Sequence, residues 1–442
     1  METTSVISGE AQFYDIDKLL TRPSQFAPEI FTPDPTLRDM LGEYAKILVI
    51  GAGGLGCELL KDLALSGFKD IHVIDLDKID VTNLNRQFLF RKHDVGQFKA
   101  TVAADFVMKR VPGVKITAYT KPIQQFGEEF YKQFQIVIAG LDNIEARRWI
   151  NSMLHSLVEF DDEKKPLPET QRPLIDGGTE GFKGQARVII PFKTGCFECS
   201  LGSLPPPVGF PMCTIRETPR LPEHCIQYAY VISWGESHGT KAVDKDSPDD
   251  MKWIYEKALE RAASFGIQGV TYQLTMGVVK NIIPAIASTN ALVSAACVTE
   301  AFKLLSGCNE HMNNYMMYMG QTSLNTHTFE YLRENNCWIC NKTVLQLNAQ
   351  RDETLFDFLE RLKLQNRLTN PTISSSRGIL YIPKPPNLEQ QHRHKLQKTF
   401  SQLIESGNIS IDADEEYEIT DPVIPTILFA KITLNILDAE VE

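Results

Sequence analysis

Short, solid apolar runs alternate with helically spaced ones over the first third of the chain. Ile47 to Ile50 reads as a buried strand. A glycine-rich turn and a helical stretch through Leu65 follow, and then a second apolar run, Ile71 to Ile74, ends at Asp75. Val114–Ala118 and Ile136–Gly140 continue the series as strands. Strands alternating with helices predict an α/β fold built on a doubly wound parallel sheet. Strand signals return at Leu174–Asp176 and Ala186–Ile190 after a charged, proline-containing loop over Asp161–Pro173. From Leu204 to about Gly269 prolines cluster and helical spacing takes over, with a polar loop at Ser237–Asp250. This predicts a helical domain inserted at 205–286, between a first part of the α/β domain at 1–204 and a second at 287–345. A helix around Thr289–Leu305 marks the return. Residues 343–352 read as a linker. Residues 353–442 read as a separate α+β domain, with a helix at Leu355–Leu362, a strand at Ile379–Ile382, a helix at Leu396–Ile404, an acidic run at Asp412–Glu418 and a strand at Thr426–Thr433.

Composition narrows the partners. A chain of 442 residues exceeds one ordinary core, so two or three domains are expected. A formal net charge of −11, with no long basic run, argues against a nucleic-acid partner. Met1–Phe13 lacks the charged and apolar regions of a secretory signal. The most apolar stretch, Asn281–Val298, is broken by Pro284, Asn290 and Ser294, so a helix buried in protein is expected rather than a membrane span. Nine cysteines without such a signal point to a reducing compartment, where paired cysteines mean metal or catalysis. The expected location is cytoplasmic, with the nucleus also open to it.

Three constellations carry chemistry. The first is Gly51-Ala-Gly-Gly-Leu-Gly56 between strand and helix, with Asp75 close to the offset of about 20 residues for a ribose-binding acid. Alone, this glycine pattern would favour a dinucleotide oxidoreductase. Asn83, Asn85, Arg86 and Gln87 then crowd one turn, with Lys99 one helix later. Hydride transfer does not need such donors beside the phosphates. Cleavage of the α–β bond of ATP does, because charge builds on the leaving pyrophosphate. Asp142, just past the strand at Ile136–Ile138, is placed either to hold Mg²⁺ or, with Asn143, to cap the next helix. The second constellation is Cys196-Phe-Glu-Cys199 with Cys337-Trp-Ile-Cys340, the knuckles of a four-cysteine Zn²⁺ site, with 137 residues between them. Redox pairs and unrelated buried thiols are the alternatives. The third is Cys213, in a segment with prolines at 205, 206, 207, 211, 219 and 222. An exposed, non-helical cysteine is a nucleophile candidate; a small buried apolar residue is the alternative. His224 and Cys225 are expected to be packing residues.

At these residues the chain resembles the activating enzymes of ubiquitin-like proteins. Gly51–Gly56, Asp75, Asn83–Gln87, Lys99 and Asp142 match the adenylation motif shared with the bacterial sulfur-carrier adenylyltransferases. Pro211-Met-Cys-Thr-Ile215 and Pro219–Ile226 are similar to the eukaryotic catalytic-cysteine segment. Thr179-Glu-Gly-Phe-Lys-Gly184 and the Pro-Arg-Leu-Pro-Glu-His run are similar to the catalytic subunits of the neddylation branch, whereas Arg216 looks more like the SUMO branch, the alternative assignment.

The resemblance implies that Gly51, Ala52, Gly53, Gly56, Asp75, Asp77, Asn83, Arg86, Gln87, Lys99, Asp142 and Asn143 bind ATP and Mg²⁺. It implies that Arg86, Lys99 and Asp142 serve adenylation of a modifier's C-terminal glycine and that Cys213 forms the thioester. It also implies that 353–442 is a ubiquitin-like fold that recruits the conjugating enzyme, and that Arg187 reads the modifier a few residues before its di-glycine end; a surface-strand arginine paired with a carboxylate is the alternative for Arg187. Residues 1–45 show no Tyr-x-Arg-Gln-type arm, so a heterodimer is implied whose other, non-catalytic subunit supplies an arginine to the ATP.

Overall fold

The computed structural model describes residues 13–21, 31–203, 215–216, 218–239, 241, 243–244, 247–279, 285–307, 313–407 and 415–435. It separates into two compact units, one formed by 1–202 with 286–442 and the other by Ser203–Ala285.

The larger unit is built on an eight-stranded sheet in the order β3-β2-β1-β4-β5-β6-β7-β8. Its strands are β1 (Lys46–Ile50), β2 (Asp70–Ile74), β3 (Lys115–Tyr119), β4 (Ile136–Ala139), β5 (Leu174–Glu180), β6 (Lys183–Ile189), β7 (Tyr315–Met319) and β8 (Asn325–Phe329). β1 to β5 pair in parallel. β5 to β8 pair antiparallel, so the sheet is mixed and not wholly parallel as expected. Helices α1 (Gly54–Leu65), α2 (Lys99–Arg110), α3 (Ile144–Ser156) and α4 (Ala287–Ser306) belong to this unit. Ile47, Val49, Ile71, Val73, Ile136 and Ile138 bury side chains in one core with Leu59, Leu63 and Val293. Strands this continuously apolar are covered on both faces, as parallel sheets are.

A second sheet runs β11-β10-β12-β13-β9. Its strands are β9 (Leu345–Gln350), β10 (Thr372–Ser375), β11 (Gly378–Tyr381), β12 (Tyr417–Asp421) and β13 (Ile424–Asn435). Helix α5 (Leu355–Asn366) packs here through Phe358, Leu359 and Leu362. The stretch read as a linker is therefore mostly strand: β9 pairs in parallel with β13, Leu347 facing Ile432. The C-terminal fold accordingly starts at Leu345, ahead of the expected residue 353.

The smaller unit contains helices Pro222–Tyr228, Pro248–Ser264 and Tyr272–Val279. They close on Ile226, Ala229, Trp234, Met251, Ile254 and Ala258. His224 and Cys225 are buried in the first of these helices. His224 Nδ1 accepts the Arg220 amide at 3.1 Å, and burial pushes the Cys225 thiol up. Both fit the packing role expected of them.

Candidate functional site

The carboxyl edge of β1 is where the glycine turn belongs on sequence grounds, and the geometry there leaves no room for other residues. Gly51 has φ +99°, and a Cβ on it would lie 2.7 Å from the Gly140 carbonyl oxygen. A Cβ on Gly56 would lie 2.0 Å from the Gly51 carbonyl oxygen, so α1 can approach the strand only through glycine. Gly53 is the N-cap of α1 and offers no side chain to its first amides. Those amides and the helix dipole favour an anion.

The other nucleotide candidates gather around this turn. Asp75, one residue past β2, accepts the Ala52 amide at 2.6 Å and the Asp77 amide at 2.8 Å, which fixes the loop. Burial pushes its carboxyl up, and the Lys99 charge pulls back against that. Lys99, the first residue of α2, is 2.9 Å from Asp77. The Asn83 side chain caps its own short turn by accepting the Asp80 amide at 2.9 Å. Arg86 donates to the Thr82 carbonyl and to Asn85, both at 3.1 Å. Gln87 is 3 % exposed, and its Oε1 has no protein partner. Its Nε2 lies 3.8 Å from where a Cβ on Gly53 would stand, and Arg86 Cγ lies 3.6 Å from the same point on Gly54. A buried amide oxygen without a protein partner near the glycine turn fits a ligand that donates a hydrogen bond to it.

The two readings of Asp142 and Asn143 divide between the residues. Asn143 is the N-cap of α3 and accepts the Ala146 amide at 2.7 Å. Asp142 is exposed and receives only the Asn143 side-chain amide, at 3.1 Å, leaving carboxylate lone pairs for a hard cation.

Three residues near this edge escaped the sequence reading. Arg147 donates to the Leu141 carbonyl, to the Gly177 carbonyl at 2.9 Å and to Asp176, so it ties the Asp142 turn to β5. Asn290, in the first turn of α4, accepts the Thr179 hydroxyl at 2.7 Å. Its Nδ2 lies where a Cβ on Gly54 would reach it at 2.5 Å. Asp176 and Asn290 are brought in from far along the chain, and only the glycine pair after Asp176 hinted at a close approach.

Arg187 is paired with a carboxylate, as its structural alternative expects, but it is buried and not at a strand start. It does not begin its strand but lies inside β6. At 2 % exposure its guanidinium is 3.0 Å from Asp176 Oδ2 and donates to Ser200 Oγ at 2.7 Å. It also lies over the Phe197 and Tyr315 rings. Asp176 is shared with Arg147, so two guanidiniums face one carboxylate, and the pairing gives Arg187 a structural role within the fold.

The four knuckle cysteines do converge. Cys196 Sγ is 3.8 Å from Cys199 Sγ and 3.6 Å from Cys337 Sγ, Cys199 Sγ is 3.4 Å from Cys340 Sγ, and all four sulfurs lie within 4.8 Å of one another. A tetrahedral ion with metal–sulfur bonds of about 2.3 Å sets its sulfurs about 3.8 Å apart, so the donor set fits such an ion. The Glu334 amide donates to Cys199 Sγ at 3.4 Å, which supports a thiolate there. Cys213 lies outside the described residues.

Known proteins align with this chain over nearly its full length. The ThiF family matches residues 33–339, and the E2 binding domain matches 348–434. The chain is 50% identical over 392 residues to the NEDD8-activating enzyme E1 catalytic subunit of Arabidopsis thaliana, covering 88% of this chain and 86% of that one. It is 46% identical over 452 residues to the protein of the same name from Dictyostelium discoideum, covering 98% and 99%. SUMO-activating enzyme subunit 2 of Dictyostelium discoideum is 47% identical over 204 residues, which is 46% of this chain and 28% of that one.

Proposed function

The chain belongs to the ThiF family and, within it, to the NEDD8-activating enzyme E1 catalytic subunits, and from that premise we propose how its residues divide the work. The activity is ATP-dependent activation of a ubiquitin-like modifier of the NEDD8 type, followed by its transfer to a conjugating enzyme. The oxidoreductase alternative falls with the family. So does the SUMO alternative, whose likeness spans under half of the chain.

The modifier's C-terminal carboxylate attacks the α-phosphorus of ATP bound on the glycine turn, and pyrophosphate leaves. Arg86 and Lys99 face the charge that builds on the leaving group. Lys99 exchanges Asp77 for phosphate oxygens when ATP arrives. Asp142 would hold Mg²⁺, which neutralises phosphate charge when bound. Asp75 accepts from the ribose. The Cys213 thiolate then attacks the acyl-adenylate carbonyl, a thioester forms and AMP departs. A second, non-catalytic subunit supplies an arginine to the same ATP. Cys196, Cys199, Cys337 and Cys340 would hold Zn²⁺, which joins two distant segments. The described cysteines are all free, which supports a reducing compartment, cytoplasm or nucleus. No described helix is long and apolar enough to cross a membrane.

The observation that carries this division is the gathering of Gly51–Gly56, Asp75, Arg86 and Gln87 at one sheet edge, with Asp142 left unengaged by its helix. The test pairs two variants, with the partner subunit present. Cys213→Ala retains ATP–pyrophosphate exchange and forms no thioester. Asp142→Ala loses exchange itself by about a hundredfold or more, as removal of one charge-stabilising group does. A reducible adduct on Cys213→Ala moves the nucleophile elsewhere, and normal exchange in Asp142→Ala returns that residue to a structural role.

A further inference from the structure

Arg148 is fully buried in α3, six residues after Asp142, and its three nitrogens hold two partners. Nε and Nη2 hold Glu198 in a two-pronged pair at 3.0 and 2.6 Å. Glu198 lies between Cys196 and Cys199. Nη1 donates to the Arg367 carbonyl at 2.6 Å, at the end of α5 in the C-terminal fold. The Trp338 ring, between Cys337 and Cys340, lies 5.8 Å away. Arg367 itself is the left-handed cap of α5, at φ +49°, and its amide and that of Leu368 both donate to the Lys363 carbonyl. One guanidinium thus joins the helix that follows the Asp142 turn, both cysteine knuckles and the last turn of α5.

A buried ion pair is weak evidence for stability, because well-packed apolar side chains of similar volume often serve as well. What apolar replacements lack is direction. The paired carboxylate fixes the plane of the guanidinium, and the remaining donor then has one target, a carbonyl on the other fold. We propose that Arg148 is a positioning residue that anchors the C-terminal fold on the adenylation core at the end of α5, and so sets where a bound conjugating enzyme meets the Cys213 thioester. The second half of this statement rests on the role given above to the C-terminal fold.

The experiment uses the full chain with its partner subunit and the double variant Arg148→Met/Glu198→Met, which removes both charges together and leaves neither stranded. Three quantities are read. ATP–pyrophosphate exchange is expected to stay at the wild-type rate. Amide hydrogen exchange at Arg367 and Leu368 is expected to quicken about tenfold, the size of one lost charge-assisted hydrogen bond. The kcat/KM for transfer to the conjugating enzyme is expected to fall by a similar factor. Should the double variant fail to fold, Arg148→Lys keeps a cation beside Glu198 but loses the fork that reaches the Arg367 carbonyl, and gives the same pattern. Unchanged amide exchange at Arg367 and Leu368, or adenylation and transfer falling in equal proportion, overturns the anchor. Quickened amides with unchanged transfer uphold the anchor and overturn the role of the C-terminal fold in transfer.

Discussion

At the scale of single residues, Arg187 shows how far charge type and position fall short of geometry. The family resemblance makes Arg187 a reader of the modifier tail, with a surface-strand arginine paired with a carboxylate as the alternative. In the fold it is enclosed with Asp176, and Arg147 pairs with the other oxygen of the same carboxylate. Arg187→Gln therefore leaves Asp176 one cation short but not stranded. The expected outcome is a cost below the roughly 3–5 kcal/mol of breaking an isolated buried pair. The melting temperature and charging with the cognate modifier should fall together, while ubiquitin stays excluded. Thioester assays with both modifiers, beside a thermal melt, check this. Ubiquitin charged on Cys213 at an unchanged melting temperature would show instead that Arg187 acts on the modifier tail.

At the scale of elements, what was legible follows from how locally each signal is written. β1, β2 and β4 are solid apolar runs because both faces of each are covered, and they stand within a residue or so of where the sequence puts them. β8 is exposed along its length, and its Asn-Thr-His-Thr-Phe carries no burial pattern to read. β9 buries only Leu347 and Ala349, and its partner β13 lies some eighty residues on, so nothing local separates it from a linker. The glycine turn and the knuckles were legible because their spacing is short-range, whereas Arg147–Asp176 and Thr179–Asn290 exist only after folding.

Helix α3 adds a pH signature at its end. His155 Nδ1 meets the Asn151 carbonyl at 2.7 Å, its Nε2 is buried without a partner, and burial depresses its pKa to about 4. A base whose folded pKa lies below its unfolded value of about 6.5 leaves the folded state short of a proton between the two, so stability falls with falling pH there. The loss approaches about 1.4 kcal/mol per pH unit from this residue alone. Denaturant melts of His155→Leu between pH 7 and pH 4.5 should show a shallower decline than the wild type. An identical decline would mean that the imidazole finds an acceptor when protonated.

At the scale of the whole molecule, the knuckles join chain segments that precede and follow residues 203–285 in sequence. Cys196 and Cys199 follow β6, while Cys337 and Cys340 precede β9, where the C-terminal sheet begins. An ion held by all four closes a loop of well over a hundred residues. A cross-link of that span removes freedom mostly from the unfolded chain, and binding energy that appears only on folding is folding energy. The purified protein should therefore carry about one zinc per chain, the content of a single four-cysteine site. Cys196→Ser or Cys340→Ser should lower metal content and melting temperature together. A loss of several kcal/mol corresponds to a drop of several degrees, at about 1 °C per kcal/mol for a chain of this length. The nucleotide turn draws none of its hydrogen bonds from the knuckles among the described residues, so at low temperature ATP–pyrophosphate exchange should outlast metal removal. Because thiolates are the ligands, acidification should release the metal as protons compete for sulfur. Chelated protein that melts at the temperature of the loaded protein would mean that the four cysteines pack as thiols and that the segments are held by other contacts.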